Sequence, residues 1–263
     1  MKANQRYHDH VAARYDEIYS GPRWEIDFRI SWESVKANLP SAQNEPLIDL
    51  GCGTGRYGLR LAKSGYRVVL CDLSVEMLEV ARRKAEEQRV ADRVTFLQAD
   101  LTDLSALPSE SHAFAVAEGD PISFALDSDR ALREIRRILR PGACLVASVD
   151  QKLAAIDHYV VRRDLEGLRG VIENGKVKWL ANRREERFPV QTFTVEELSQ
   201  LLDRCGFEVR DLLGKTVLPL KELEPLLEQE DCVRRILELE KKLCRLPSAL
   251  GRASHLQFTA RRR

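Results

Sequence analysis

Asp49, Gly51, Gly53 and Gly55 alternate with Leu50, Cys52 and Thr54 directly after the apolar start Pro46-Leu47-Ile48. Glycines at that spacing let backbone pass close to a ligand, because the missing side chains leave room. The helix that follows offers free N–H groups at its N-terminus. Two further acids stand at the ends of apolar runs: Asp72 after Val68-Val69-Leu70-Cys71, and Asp100 after Phe96-Leu97. A carboxylate such as Asp72 can accept from two adjacent hydroxyls at once. Asp100 can accept from an exocyclic amino group, with the Leu101 N–H beside it for a ring nitrogen. Taken singly, each acid could instead be a helix N-cap. At three successive strand ends they form a joint signal for a nucleoside-like ligand.

Such residues must be carried by strands that end in line. From Pro46 to Val149 short apolar runs alternate with helical periodicity, which predicts a doubly wound α/β sheet. Ser74 is placed to cap a helix with Met77, Leu78, Ala81 and Ala85 on its inner face. Phe114–Ala117 predicts a fourth strand ending in Glu118-Gly119-Asp120-Pro121, and Cys144–Val149 a fifth. Residues 150–193 break the alternation. There Asn174-Gly175, between Gly170–Glu173 and Lys176–Trp179, predicts a hairpin, and 187–193 a further strand with Pro189 marking an edge. Thr194-Val195-Glu196-Glu197 reads as a capping box opening the helix that Gly206 ends. His255–Ala260 predicts a last strand.

The pattern D-x-G-x-G-x-G at 49–55 resembles motif I of the class I S-adenosyl-L-methionine (SAM) dependent methyltransferases, in their small-molecule, UbiE-like branch. The run 135–149 resembles the "I-x-R-x-L-x-P-G-G" segment of that family, with Ala143 for the second glycine; 193–209 resembles its "F-T-x-x-E-L-x-x-L-L-x-x-x-G-F" element. The resemblance implies a Rossmann-like seven-stranded sheet, mostly parallel with the last strand antiparallel beside 207–213 and helices on both faces, to which the hairpin signal in 150–193 adds an inserted antiparallel flap. It implies residues 1–40 as a helical arm or lid, with 41–263 as the methyltransferase domain carrying insertions at 150–193 and 219–250. It further implies SAM as cofactor, S-adenosyl-L-homocysteine as product, and a binding set of Asp49, Gly51, Cys52, Gly53, Gly55, Asp72, Leu73, Asp100, Leu101, Glu118 and Tyr15. In that set Asp49 orders the loop, while the Gly51 and Glu118 backbones face the methionine ammonium. Gly53-x-Gly55-x-x-Gly58 with Asp72 downstream also satisfies the NAD(P) dinucleotide pattern. Asp49, Arg56 at the helix start and Asp100 weigh for SAM. A non-catalytic SAM-binding regulator is the other alternative.

The acceptor side reads less sharply. Asp120, Tyr15 and Tyr19 are the candidates: Asp120-Pro121-Ile122-Ser123-Phe124 partly resembles the "D/N-P-P-Y/F" signature of amino-group methyltransferases, and Tyr15 and Tyr19 lie in an aromatic arm with Trp24. A net charge of +1 offers no basic track for a nucleic acid, so a small organic acceptor is expected. Trp179 on the flap, and Leu223, Leu226 and Leu227 near the C-terminal helices, are expected to close a pocket over it. The six cysteines are scattered without a C-x-x-C pair, so no metal site is expected, and no apolar run reaches membrane length; a cytoplasmic protein is expected. The acceptor atom (N, O, C or S), the need for a general base and the oligomeric state are not written in these motifs.

Overall fold

The computed structural model describes residues 2–125, 127–179 and 182–263. Strands β1 (Pro46–Leu50), β2 (Arg67–Asp72), β3 (Val94–Gln98), β4 (His112–Ala117) and β5 (Leu139–Asp150) run parallel. A two-stranded sheet, β6 (Lys176–Trp179) with β7 (Phe188–Gln191), stands apart from them. The main sheet is completed by β8 (Phe207–Lys215) and β9 (His255–Arg262), giving the order β3-β2-β1-β4-β5-β9-β8. β9 is antiparallel to both of its neighbours, as expected from the sequence.

Alternation along each strand divides the core. In β1, Leu47 joins Leu59, Leu61, Leu70 and Phe114 on one face, while Ile48 and Leu50 join Leu132, Ile135 and Leu145 on the other. Helix Pro22–Ala37 covers the first face with Phe28, Trp32 and Val35. The Ser74 cap and the full Thr194/Glu197 capping box both form. Gly142 carries the left-handed backbone at φ +79 and Ala143 does not, which is why alanine is tolerated there.

One sequence expectation fails. Residues 165–174 are helical, and Gly175 at φ +64 is the left-handed residue ending that helix, its N–H reaching Val171 O at 2.9 Å. Asn-Gly therefore closes a helix instead of turning a hairpin; both structures ask the same backbone conformation of glycine, so the dipeptide could not tell them apart. The strand partner of Lys176–Trp179 is Phe188–Gln191, with Pro189 opposite Lys178.

The antiparallel β9 matters for the site. Parallel strands β1, β2, β4, β5 and β8 all end on one edge, and β9 begins there, so Asp72, Glu118, Asp150, Lys215 and His255 gather on that edge. Among the described residues no helix is long and apolar enough to cross a membrane.

Candidate active site

The glycine loop is shaped from below by carboxylates. Asp49 Oδ2 accepts from Gly58 N–H at 2.7 Å, and burial pushes its carboxyl up to about 7. Asp72 Oδ2 accepts from Gly53 N–H at 2.8 Å and Oδ1 from Ser74 N–H at 2.9 Å, so this acid ties two strand-end loops together. Asp100 Oδ1 accepts from the Thr102 N–H at 2.9 Å and its hydroxyl at 2.7 Å, and Oδ2 is paired with Lys2. Burial works against the Asp100 carboxylate, but Lys2 and Thr102 outweigh it and hold its pKa below the usual range.

Two cavities meet along this edge. A narrow cleft is lined by Gly51, Gly53, Asp72, Leu73, Asp100, Leu101, Tyr15 and Glu118. Gly51, Gly53, Tyr15 and Glu118 are shared with a larger cavity of about 1040 Å³, where Cys52, Asp120, Tyr19 and Trp24 also lie. The expected binding set is thus brought together, with two exceptions. Asp49 and Gly55 lie behind the loop: a side chain at 55 would strike Leu59 Cγ at 2.8 Å, so its glycine serves packing.

The arm residues are fastened onto the loops. Asp16 accepts from Thr54 Oγ1 at 2.6 Å and pairs with Lys84, and Asp9 accepts from Ser74 Oγ at 2.6 Å. The Arg56 guanidinium lies 4.6 Å over the Phe28 ring. Tyr15, Tyr19 and Trp24 form a chain of rings with centroids 4.6 and 4.8 Å apart, and Trp179 stacks on Phe188 across the small sheet. Of the expected leucines, Leu227 reaches the large cavity; Leu223 packs beneath with Ile26 and Ile30, and Leu226 is exposed.

Sequence reasoning named Asp120 and Glu118 but missed the rest of the cavity's charged floor, Asp150, Lys215 and His255. Asp120 sits in the left-handed region at φ +64, a conformation that aspartate tolerates better than most residues. Its Oδ2 is 2.8 Å from Nδ1 of His255, and Asp150 Oδ1 is 3.8 Å from the same nitrogen. Burial would lower the imidazole pKa, but the two carboxylates outweigh it and raise it to about 9. Burial and the Asp120 charge push Asp150 up to about 7. Lys215 is buried and reaches Glu118 Oε2 at 3.0 Å, Ser31 Oγ at 3.1 Å and Asp27 Oδ2 at 3.5 Å. The available signal was the one used for Asp72: β5, like β2, is an apolar run ending in aspartate.

Residues 47–142 match the family model described as a methyltransferase domain. The chain is 32% identical over 209 residues to the ubiquinone/menaquinone biosynthesis C-methyltransferase UbiE of Acidiphilium cryptum (strain JF-5), covering 76% of this chain and 80% of that protein. It belongs to the class I SAM-dependent methyltransferases. SAM is therefore its cofactor, and the dinucleotide alternative falls away. This methyltransferase is also 24% identical over 262 residues to the tRNA 5-carboxymethoxyuridine methyltransferase of Escherichia coli (strain K12), covering 98% of this chain and 96% of that one. The crystal structure of an S-adenosylmethionine-dependent methyltransferase from Mesorhizobium loti has the same fold, with a TM-score of 0.63 at 24% identity over 90% of this chain and all of that one.

Proposed function

We propose that the narrow cleft holds SAM and that the large cavity receives a small organic acceptor. In this reading Asp72 takes the ribose hydroxyls, using the lone pairs left free by its two backbone bonds. Asp100 and the Leu101 N–H take the adenine edge, with Lys2 exchanged from Asp100 for the ligand. The Gly51 and Glu118 backbones face the methionine ammonium, with Cys52, Gly53, Leu73 and Tyr15 in contact and Asp49 holding the loop. The cleft fits such a ligand on its own chemistry: Gly51 and Gly53 have φ of +68 and +52, and each lines the cleft with bare backbone. When bound, SAM supplies a methyl group on an activated sulfonium. The protein's own contribution is to aim the acceptor along the axis of that bond and to keep water out. Residues 1–40 and the 150–193 insertion act as covers, since Asp9 and Asp16 pin the arm onto the loops and Trp179 lines the cavity.

The observation that carries the small-acceptor reading is the 1040 Å³ cavity itself, walled by Tyr7, Tyr15, Tyr19, Trp24, Phe124 and Trp179. Aromatic walls combined with fixed charges such as Asp120, Asp150 and Lys215 suit a compact organic molecule. A net charge of +1 gives little for a phosphate backbone to bind. The rival reading is a tRNA acceptor, favoured by the Escherichia coli relative.

Asp72→Ala is expected to weaken SAM binding by about 1.5–3 kcal/mol, the cost of lost hydrogen bonds to a charged group. Because Asp72 also accepts from Gly53 and Ser74, part of that loss comes through a looser loop. Calorimetric titration of SAM into both proteins checks it; an unchanged affinity would remove Asp72 from the cofactor site.

A further inference from the structure

The floor of the large cavity carries polar groups that cofactor binding leaves unused. Asp150 and His255 are cross-strand partners at the sheet edge, and Asp120 approaches them from the end of β4. One oxygen of Asp120 is spent on His255 Nδ1 at 2.8 Å. The other, Oδ1, is buried with no hydrogen-bond partner, and so are Asp150 Oδ2, Glu118 Oε1 and His255 Nδ1, whose contact with Asp120 is an ion pair without hydrogen-bond geometry. All three residues line the cavity, and the Asp120 side chain is 9% exposed. Lys215 does not relieve them, since its ammonium is already shared among Glu118, Ser31 and Asp27.

The unsatisfied oxygens are acceptors, so a molecule that completes this floor must bring N–H or O–H donors. Charge narrows the choice. Four carboxyls, of Asp27, Glu118, Asp120 and Asp150, face two cations, Lys215 and His255, which attracts a further positive charge and repels a carboxylate. Above the floor stand Tyr15, Tyr19, Trp24 and Trp179, whose ring faces favour both an aromatic body and a cationic head.

We propose that Asp120 and Asp150 form the binding site for the amino group of an arylalkylamine acceptor. The proposal rests on the reading of the large cavity as the acceptor chamber. The amine enters as its ammonium and first passes one proton through the Asp150 carboxylate to water; the nitrogen of the resulting free base then donates its lone pair to the methyl carbon. The N–C bond forms as the C–S bond breaks, sulfur keeps that electron pair, and the displaced N–H proton passes to the Asp150 carboxylate and on to water. His255 neutralises Asp120, so that the two carboxylates can stand side by side. The same three side chains also lie close enough to hold a metal ion, their ligand atoms being within 4.8 Å of one another, and the test separates that case.

The test is calorimetric titration of the full-length protein, loaded with S-adenosyl-L-homocysteine, with three matched probes: phenethylamine, phenethyl alcohol and hydrocinnamate. Phenethylamine is expected to bind at least about tenfold more tightly than either other probe, as a charge-assisted contact allows. Asp150→Asn should erase that preference and leave homocysteine-ligand affinity within about twofold, while Asp150→Glu keeps part of it. Asp120→Asn should do the same, and the Asp150 variants stand alone if that one does not fold. Equal or tighter binding of the alcohol or the carboxylate would overturn the proposal. So would no binding of the amine, a preference that Asp150→Asn does not move, or tight binding of Zn²⁺ lost in the same variants. Failure of the chamber reading looks different: the wild type would then transfer methyl groups to tRNA.

Discussion

Replacing Lys215 with methionine is expected to cost the protein about 3–5 kcal/mol of stability, the loss seen when one partner of a buried charge cluster is removed. Lys215 is 3% exposed and Glu118, 3.0 Å away, has a fully buried side chain, so the substitution strands a carboxylate with no counter-charge. Protonating Glu118 would relieve the charge, at the cost of holding a proton on an acid at neutral pH. For a chain of this length the midpoint of thermal unfolding should fall by about 6–20 °C. Lys215→Met combined with Glu118→Gln should recover part of the loss, because the fully buried charge is gone and the methionine still fills the space, while Asp27, 19% exposed, keeps its charge without a partner. Denaturant unfolding of the wild type and both variants decides it. A single variant within about 1 kcal/mol of the wild type would show that the cluster does not hold the sheet edge together.

Gly51→Ala should disable the cofactor loop. At φ +68 an alanine pays about 1–2 kcal/mol for left-handed backbone. Its Cβ would also lie 2.5 Å from Cβ of Pro121, and such overpacking adds about 1–3 kcal/mol. Pro121 opens the short helix after Asp120, so relief moves either the glycine loop or the acceptor-side segment. SAM affinity is expected to drop about thirtyfold or more, for those two terms together. Gly21→Ala is the control, having φ +94 but nothing within 4 Å of its added carbon. Titration of SAM into both variants separates the clash from the backbone cost; wild-type affinity in Gly51→Ala would contradict the close packing of these two loops.

The frame was legible in the sequence because its signals are local. Apolar runs ending at Asp72 and Glu118, a serine before Met77 and a Thr-x-x-Glu box each fix one element without help from the rest of the chain. The placement of β9 was legible through resemblance, since nothing within 255–262 encodes its direction. What stayed hidden depends on distant residues. Asn174-Gly175 suits a hairpin turn or a helix end equally, and the choice is made by Val171, Thr192 and their packing. The Asp120–His255–Asp150 cluster spans 135 residues of sequence, and only the antiparallel entry of β9 brings its histidine to the edge where the other two end. Lys2 on Asp100 was likewise out of reach, because an N-terminal lysine carries no sign of its partner.

The central claim, a small organic acceptor in an aromatic chamber beside the SAM cleft, is tested most directly by following the methyl group. The purified protein is incubated with SAM bearing a deuterated methyl group, a low-molecular-weight metabolite extract and bulk tRNA, at two salt concentrations. The label is then located by mass spectrometry. The account predicts label on a small molecule, with a rate that changes little between the two salt concentrations, since no row of phosphates is neutralised. Label recovered in tRNA nucleosides, with a rate falling steeply as salt rises, would contradict it.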